Sequence, residues 1–328
     1  MSKVGRKSKY DELYNPVYKQ RFLDQYEEEG TKYNYRQVLG KCYRFESERF
    51  GKDVSEFNHE ELDNLFYNLQ AGSYESLVGQ VSIITSYISF AIQEGFSRNN
   101  INFATLSSFH GKNLMKYVDK TWQEKRIMSR EDIYDEIITD CINAQDAAIY
   151  SLYFEGVSGE GAEEIINLKR DDINKTDNIL TLTKNDGTTR ALPVPEECIN
   201  ILVEASEQKK YERTLFVESN NTIDKAYTLV DNEHVLRPTI RSNGIETLRT
   251  QAVRERFNKV KKYQGNSYIT PTSVRLSGMI DYAKQYMEES GVETLDDLQM
   301  DYYKRLYERF GISESLHYAT RGKLKKYI

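Results

Sequence analysis

The strongest constraint on the fold is the segment 178–195, NILTLTKNDGTTRALPVP, in which two short β-rich runs flank an Asp-Gly turn. Asp-Gly between such runs is a strong hairpin signal, because glycine readily adopts the positive φ that tight turns need. A shorter run, Thr214 to Val217, is a candidate for an added edge strand. The remaining segments carry helical patterns, so we predict a mainly α fold with a small antiparallel β-sheet.

The first third of the chain, residues 11–107, predicts a compact helical bundle. Apolar residues recur there at spacings of three and four, with polar turns between the segments. Asn58 is the expected N-cap of one helix, and Gly30 is expected to close another. The expected helices are Tyr14–Glu29, Asn34–Phe50, Phe57–Leu69 and Ser73–Gln93, the last with the stripe Leu77, Val81, Ile84, Ile88 and Ala91.

Two domains are expected, because 328 residues suffice for two cores of ordinary size. Residues 1–10 form a basic N-terminal arm, and the polar stretch 108–128 predicts a linker. The capping sequence at Ser129 then begins a second domain, 129–328. From Thr247 to Leu324 this domain is expected to be helical, with turns at Gly265, Gly291 and Gly311.

Composition indicates a soluble globular protein, with 39% hydrophobic and 29% charged residues. No uncharged apolar run approaches the roughly 20 residues that cross a bilayer, so we expect no membrane partner. The basic start MSKVGRKSKY is not followed by an apolar stretch, which is unlike a secretory signal. The expected location is therefore cytoplasmic.

The cysteines and histidines predict neither disulfides nor a metal site. Cys42, Cys141 and Cys198 are odd in number and far apart, which is typical of reduced thiols. The four histidines form no HxH or HExxH pattern. We expect no metal and no cofactor.

Charge is unevenly distributed along the chain. A net charge of −6 argues mildly against nucleic acid as a partner. Between Arg237 and Lys262, however, eight basic residues stand against two acidic ones. The C-terminus RGKLKKYI and the N-terminal arm are also basic. Such blocks are commonly solvated faces, but three in one acidic chain favour a charged groove.

The segment Leu152–Ile173, LYFEGVSGEGAEEIINLKRDDI, resembles the passage "TGLRxSELxxLxxxDI" of tyrosine recombinases, the phage-integrase family. The positions that match are Gly156, Glu164, Ile165, Leu168, Asp172 and Ile173. In the family this passage supplies the first arginine that holds the scissile phosphate. Here the aligned position is Gly161, or Ser158 with a different gap, and no arginine occurs between Arg130 and Arg170.

The N-terminal third is similar to the core-binding domain of the same family. TKYNYRQVLGKCYRFESERFG, YESLVGQVSIITSYISFAIQEGF and SRNNINFA follow the order and spacing of its helices. MSREDIYDEIITD resembles the opening of the catalytic domain. The resemblance spans residues 11 to 324 and implies a two-domain tyrosine-recombinase-like fold, with a core-binding domain at 11–107 and a catalytic-like domain at 129–328.

Two phosphate-facing residues of the family are retained by this resemblance. TKNDGTTRALPVP matches the family hairpin and places Lys184 at its lysine, with Gly187, Arg190 and Pro193 in matching places. TPTSVRLSGMI matches the His-x-x-Arg signature and places Arg275 at its arginine. Considered alone, an exposed hairpin lysine and a structural ion pair explain these two residues equally well.

The other catalytic positions have changed. Gly161 replaces the first arginine, Thr272 the histidine of His-x-x-Arg, Ile312 the second histidine-type position, and Arg321 the nucleophilic tyrosine. Tyr318 lies three residues before the nucleophile position. Loss of one charge-stabilising donor lowers rates by about 10²–10³, and loss of the nucleophile removes the covalent route. The resemblance therefore implies a recombinase-derived protein without recombinase activity.

Such a protein is expected to bind double-stranded DNA between its domains as a transcriptional regulator, a repressor that maintains lysogeny in a phage. It resembles lysogeny repressors of this kind from SPβ-like Bacillus phages. Backbone contacts are expected from Lys184, Arg241, Arg249, Arg254 and Arg275. Base readers are expected on two helices of the first domain, among Tyr35, Arg36, Lys41, Arg44, Tyr74 and Gln80.

Two alternatives remain open. One is an active phage integrase that uses Tyr318, and the other is a protein-binding module with incidental basic blocks. Members of the family exchange C-terminal helices between subunits, so a homo-oligomer formed through the segment after Gly311 is a further expectation.

Overall fold

The computed structural model describes residues 12–69, 71–212, 226–240 and 246–328. It divides into two compact units, Met1–Glu124 and Lys125–Ile328. One hydrophobic core fills the first unit, and two clusters fill the second. The basic arm 1–10 and the run Thr214–Val217 lie outside the described residues.

The first unit is a helical bundle. Its helices are α1 (Pro16–Leu23), α2 (Glu29–Arg44), α3 (His59–Tyr67) and α4 (Tyr74–Gln93). A π-helical turn, Phe45–Phe50, continues α2. Short 3-10 turns follow at Val54–Glu56, Phe103–Thr105, Ser107–Phe109 and Gly111–Tyr117.

Capping side chains fix where two of these helices begin. The side chain of Asn58 accepts from the backbone of Glu61, and the Glu61 carboxylate accepts from Asn58 N, which completes a capping box. Ser73 caps α4 through Ser76 N. The predicted stripe on α4 is confirmed, since Leu77, Val81, Ile84, Ile88 and Ala91 are all buried.

The beginning of the bundle differs from the expectation. Gly30 does not close a helix but lies in the first turn of α2, and α1 ends at Leu23. Glycine is tolerated near either end of a helix, so its position alone does not tell a start from a stop.

The helix α4 is long and apolar enough to cross a membrane by length and composition, with an 18-residue window of mean hydropathy 1.2. We expected no apolar run of this length, and that expectation is wrong for α4. Its Ser, Thr and Gln residues are polar but uncharged, so the helix keeps a high mean hydropathy in spite of them. In the structure 44% of that window is buried, and the buried stripe belongs to the core of the first unit.

The stretch expected to be a linker contributes to the first unit. Phe109, Leu114, Tyr117 and Val118 are buried in its core, and the short helix α5 (Lys120–Lys125) follows. The first half of 108–128 is therefore packed, because its apolar residues fall on the inner side of successive 3-10 turns.

The second unit surrounds a buried central helix, α6 (Ala144–Glu155), which is preceded by a π-helical turn at Asp132–Ile138. Every residue from Gln145 to Glu155 is buried, as expected for a helix covered on all sides. The other helices are α7 (Glu163–Asn167), α8 (Glu196–Glu207), α9 (Thr250–Tyr263), α10 (Pro271–Ser290), α11 (Met300–Phe310) and α12 (His317–Leu324).

The hairpin prediction is confirmed. β2 (Ile179–Thr183) pairs antiparallel with β3 (Thr189–Pro193), and Gly187 in the turn has φ 83°. β1 (Ile173–Asn174) adds a third strand beside β2. A separate pair, β4 (Lys210–Glu212) and β5 (Ala226–Thr228), was not predicted, because three-residue strands carry little pattern. The predicted turns at Gly265, Gly291 and Gly311 each follow a helix.

Backbone contact joins α6 to α10. A Cβ at Gly278 would lie 1.7 Å from the carbonyl oxygen of Phe154, a distance that no side chain tolerates. Glycine at this position therefore lets α10 lie directly on α6, and this contact positions the first turn of α10 beside the loop that follows α6.

Candidate functional site

A cavity of about 470 Å³ gathers several of the predicted positions within the second unit. We call it the Arg275 cavity. The loop after α6 forms one wall, the part of α9 from Thr250 to Asn258 forms a second, and the first turn of α10 forms a third. Its predicted members are Gly161, Thr272, Arg254 and Arg275, together with the alternative position Ser158. Residues that are 117 positions apart in sequence therefore line one concave surface.

The loop at the first-arginine position has an unusual backbone. Gly159, Gly161 and Ala162 all have positive φ, between 62° and 68°. The Thr250 hydroxyl donates to Gly161 O at 2.7 Å, and a Cβ at Gly161 would lie 3.3 Å from that hydroxyl oxygen. This position therefore carries no cation, and its backbone conformation is one that L side chains rarely adopt.

Thr272 is exposed in the first turn of α10, directly after Pro271. Its neighbour Thr270 caps the helix by accepting from Ser273 N at 3.0 Å. A threonine hydroxyl can donate one hydrogen bond to an anion but cannot exchange a proton near neutral pH as histidine does. The position is therefore suited to holding an oxygen ligand and unsuited to general acid catalysis.

Arg275 is largely buried between the Arg275 cavity and α11. One Nη2 hydrogen bond goes to the carbonyl oxygen of Phe310, and Nε has no partner within the described part of the chain. Burial lowers the pKa of Arg275, and the nearby charge of Arg190 lowers it further. Two guanidinium groups thus stand close together, with Glu164 as a shared counter-charge, which favours an anion in the cavity.

Arg190 links several chain segments beside the Arg275 cavity through hydrogen bonds. Its guanidinium binds the Glu164 carboxylate with two contacts, of 2.7 and 2.8 Å. It also donates to the carbonyl oxygens of Gly156, Glu308 and Arg309 at 2.6 to 3.1 Å. The hairpin match included Arg190, but its role as a link between three chain segments has no local sequence signal.

Glu164 is buried, and its pKa reflects competing effects. Burial raises the pKa, but the hydrogen bonds from Arg190 and from Ser158 N, with the charges of Arg190 and Lys184, outweigh burial and lower it below the ordinary value. The carboxylate is therefore ionised at neutral pH, which keeps the Arg190 pair intact.

Lys184 is not among the residues that line the Arg275 cavity. It lies in the β2–β3 turn, where its backbone N donates to Thr188 O at 2.9 Å and its carbonyl accepts from Gly187 N. Its charge, like that of Arg190, lowers the pKa of Glu164.

The basic block 237–262 separates into buried and exposed cations. Arg237 and Arg256 are only 3% and 7% exposed, and their hydrogen bonds go to neutral oxygens of the protein. Arg249 and Arg254 are exposed at the beginning and the middle of α9. Arg241 lies outside the described residues. The sequence did not distinguish these two classes, because both follow the same charge pattern.

The last two changed positions lie in the C-terminal segment. Ile312 is half-buried against the cluster formed by α10 and α11, and Arg321 pairs with Asp296. Tyr318 is 84% exposed, while Leu324 at the end of α12 is fully buried in that cluster. The segment after Gly311 thus packs on its own chain.

Candidate base readers in the first unit occupy mixed environments. Tyr35 packs with the aromatic rings of Phe22 and Tyr26, and Tyr74 is half-buried against the same core. Gln80 is only 8% exposed and accepts a 2.7 Å hydrogen bond from Lys41.

These contacts favour a structural role for Tyr35, Tyr74 and Gln80, because an amphipathic pattern does not distinguish a packed tyrosine from a free one. Arg36 donates to Gln20, and Arg44 is exposed beside Glu48. Arg44 is therefore the member of the set that lies most openly at the surface.

Two family models match the chain. The model "MrpR, C-terminal catalytic domain" matches residues 127–328, and "MrpR, N-terminal core-binding domain" matches residues 13–93. The chain belongs to the MrpR family. Its two domains bear the names of the core-binding and catalytic domains of tyrosine recombinases, and the chain is a member of that wider family, with the expected mainly α two-domain fold.

A curated relative of this MrpR-family chain is the SPbeta prophage-derived uncharacterized protein YopR of Bacillus subtilis (strain 168). It is 24% identical over 285 residues, which is 85% of this chain and 84% of YopR. A lambda integrase dimer bound to a COC' core site is similar at a TM-score of 0.49 and 15% identity, covering 94% and 93% of the two chains. The Tn1549 transposon integrase with circular intermediate DNA has a TM-score of 0.47 and 15% identity, covering 95% and 94%.

Proposed function

We propose that this protein is a sequence-specific DNA-binding transcriptional regulator, a phage repressor that maintains lysogeny and does not cut the DNA that it binds. The observation that carries the proposal is the composition of the Arg275 cavity. Arg254 and Arg275 supply positive charge there, whereas Gly161 and Thr272 occupy the positions where cleavage needs an arginine and a histidine. The cavity suits the binding of a phosphate better than chemistry on it.

Cleavage by this family needs cations that stabilise the developing charge, a donor for the leaving oxygen and a tyrosine nucleophile. Arg321 stands at the nucleophile position and pairs with Asp296, and the apolar side chain of Ile312 can donate no proton. Loss of each donor lowers the rate by about 10²–10³, so binding is the function that remains.

The exposed face of α9 supports sequence-specific recognition. Gln251, Glu255 and Asn258 recur along one stripe of this helix, with Lys262 one turn further. Glutamine and asparagine pair with adenine in the major groove, and glutamate accepts from cytosine. We assign base reading to this stripe, and backbone contacts to Arg249 and Arg254 beside it.

Two further features support the proposal. The hydrogen bond from Arg275 to the carbonyl oxygen of Phe310 fixes the position of its charge beside the Arg275 cavity. The relative YopR is described as prophage-derived, which supports a phage context for the regulator. Arg44 remains a candidate DNA contact on the first unit.

The test is a titration of the full chain with duplex DNA over a range of salt concentrations, after genomic footprinting has located the operator. Each lost phosphate contact lowers the slope of log K against log salt by about 0.9. Arg254→Ala and Lys184→Ala should each reduce the slope by about one and weaken binding across sequences.

Arg305→Ala is the matched control, because Arg305 is an exposed arginine paired with Asp301 on α11, away from the cavity. Asn258→Ala should instead weaken operator binding and leave random-duplex binding unchanged. Slopes that do not change with Arg254→Ala and Lys184→Ala would contradict the proposal.

An active integrase is the second candidate, because Tyr318 is 84% exposed and its hydroxyl is accessible. Tyr318 does not line the Arg275 cavity within the described residues, however, and it lies on α12 beside His317. Covalent trapping on DNA, described in the Discussion, separates this candidate from the repressor.

A further inference from the structure

A second cavity, of about 480 Å³, adjoins α9 in the second unit. We call it the Tyr211 cavity. Among the described residues its walls include Tyr211, Tyr227, Leu248, Arg249, Arg256 and Lys259. Helix α9 contributes separate residues to the two cavities: Gln251, Glu255 and Lys259 line this one, and Arg254 and Asn258 line the Arg275 cavity. Helix α9 therefore forms a wall of both cavities.

Positive charge predominates around the Tyr211 cavity. Within the part of the chain that the structure describes, Arg249, Arg256 and Lys259 line it, against the single carboxylate of Glu255. Arg256 is 7% exposed, and its hydrogen bonds go to Gln145 Oε1 at 2.8 Å and to a backbone carbonyl oxygen at 2.7 Å. No direct carboxylate partner of this buried guanidinium is found among the described residues.

Lys259 has a similar environment. Its Nζ donates to Glu212 O at 3.0 Å, and the buried carboxylate of Asp146 is 4.0 Å away. Burial lowers the pKa of Lys259 and of Arg256, and the charge of Asp146 offsets this effect only in part. Among the described residues, the cations here therefore outnumber the nearby carboxylates, and an anion in the cavity would supply the difference.

The remaining walls are apolar and aromatic. Tyr211 and Tyr227 are directly opposite each other in the β4–β5 pair, and Leu248, Ala252 and Pro238 complete the surface. Cavities of this size that combine apolar walls with a few convergent charges are typical of small-molecule sites. An anion with an apolar body would contact the cations and also the apolar side chains of Leu248 and Ala252, whereas a bare phosphate would contact the cations alone.

We propose that the Tyr211 cavity binds a small organic carboxylate with an apolar body, and that its occupancy changes the affinity of α9 for DNA. The carboxylate lies by Lys259 and Arg249, and the apolar body lies between the tyrosine rings and Leu248. The ligand site stands on the cavity alone, whereas its effect on DNA rests on the proposed function.

The first experiment measures ligand binding by the full chain without DNA. 3-Phenylpropionate is the probe, and its uncharged analogue 3-phenylpropanamide is compared with it by saturation-transfer NMR and calorimetry. For a probe of this size we expect a dissociation constant on the order of 1 mM. The amide should bind at least about tenfold more weakly, because a charge-assisted contact is lost.

Two variants test the location of the site. Lys259→Gln removes the charge, and Ala252→Leu fills the cavity from α9 without altering charge; each should weaken the probe about tenfold or more. Lys262→Gln is the matched control, because Lys262 is an exposed lysine of the same helix outside the cavity. Equal binding of acid and amide, no binding of either, displacement of the probe by inorganic phosphate, or unchanged binding to both variants would overturn the site.

The second experiment measures the affinity for a duplex with and without saturating probe. We expect a change of about fivefold or more, and linkage requires DNA to change the affinity for the probe by the same factor. Ala252→Leu should abolish this coupling. If the probe binds but DNA affinity does not change, the regulatory half is wrong and the ligand site stands. If no duplex is bound at low salt, the proposed function fails instead.

Discussion

The hydroxyl of Thr250 donates a 2.7 Å hydrogen bond to the carbonyl oxygen of Gly161. This bond ties the first turn of α9 to the loop that would carry the first catalytic arginine. Gly161 has φ 62° in this arrangement, a conformation that L side chains rarely adopt. A side chain at this position would therefore be strained by the backbone conformation and crowded by Thr250.

We predict that Gly161→Arg restores no DNA cleavage. The left-handed conformation costs a residue with a Cβ about 1–2 kcal/mol, so urea denaturation should show a loss of stability of that size. Gly291→Ala is the control, because Gly291 has φ 64° with open space around it and lies far from the cavity in sequence. Cleavage by a stable Gly161→Arg protein would contradict this account of the loop.

Gly278→Ala should destabilise the second unit by more than about 3 kcal/mol. Its Cβ would lie 1.7 Å from Phe154 O, so α6 and α10 must separate and leave voids in the core. The control is Gly322→Ala in α12, where a Cβ meets nothing within 4 Å. That change should stabilise by up to about 1 kcal/mol, since alanine favours helix. Thermal unfolding of both variants is the measurement, and equal shifts would refute the close contact.

Arg190→Met should cost about 3–5 kcal/mol, because it leaves the buried carboxylate of Glu164 without its partner. Three backbone carbonyls lose a donor at the same time. Arg305→Met, at an exposed pair with Asp301, should change stability by less than about 1 kcal/mol. Chemical denaturation distinguishes the two, and a loss below about 1 kcal/mol for Arg190→Met would show that the network does not stabilise the fold.

Glu164 should make the stability of the second unit depend on acidity. Its pKa is lowered in the folded state from the ordinary value of 4.5, so its contribution is present above pH 4.5 and is lost as the pH falls through the folded pKa. The stability difference between wild type and Glu164→Gln should therefore be constant from about pH 8 to pH 5 and shrink below pH 4.5. Urea denaturation across this range tests the sign, and a difference that grows on acidification would contradict it.

Incubation with nicked suicide DNA should give no covalent adduct with the wild-type protein. Arg321 stands at the nucleophile position, and the exposed Tyr318 does not line the Arg275 cavity within the described residues. Denaturing gels and mass spectrometry detect an adduct directly. An adduct that disappears in Tyr318→Phe would show that the protein is an active integrase and would contradict the proposed repressor function.

Local sequence signals were sufficient for much of the fold. The Asp-Gly turn predicted the β2–β3 hairpin, and the N-cap residue Asn58 marked where α3 begins. These features were predictable because capping and turn chemistry act over a few neighbouring residues. Gly30 was wrongly predicted to end a helix, because glycine occurs near both ends of helices and its position alone does not distinguish them.

Contacts between distant segments could not be predicted in the same way. Arg190 and Glu164 are 26 residues apart, and no local pattern marks them as a pair. Within the basic block, Arg256 is buried and Arg254 is exposed, although they are two positions apart on one helix. Their difference arises from the helix face that packs on α6, which only the tertiary fold determines.

Arg190 and Arg309 each donate a hydrogen bond to the chain segment that carries the other residue. Arg190 donates to Arg309 O at 2.6 Å, and Arg309 donates to Pro193 O at 2.7 Å and to the Glu155 carboxylate. A premature stop codon before Met300 would therefore remove partners from β3 and α6 together. The phenotype of such a truncated allele would arise from unfolding of the second unit. It would therefore not show that the C-terminal segment has a regulatory role.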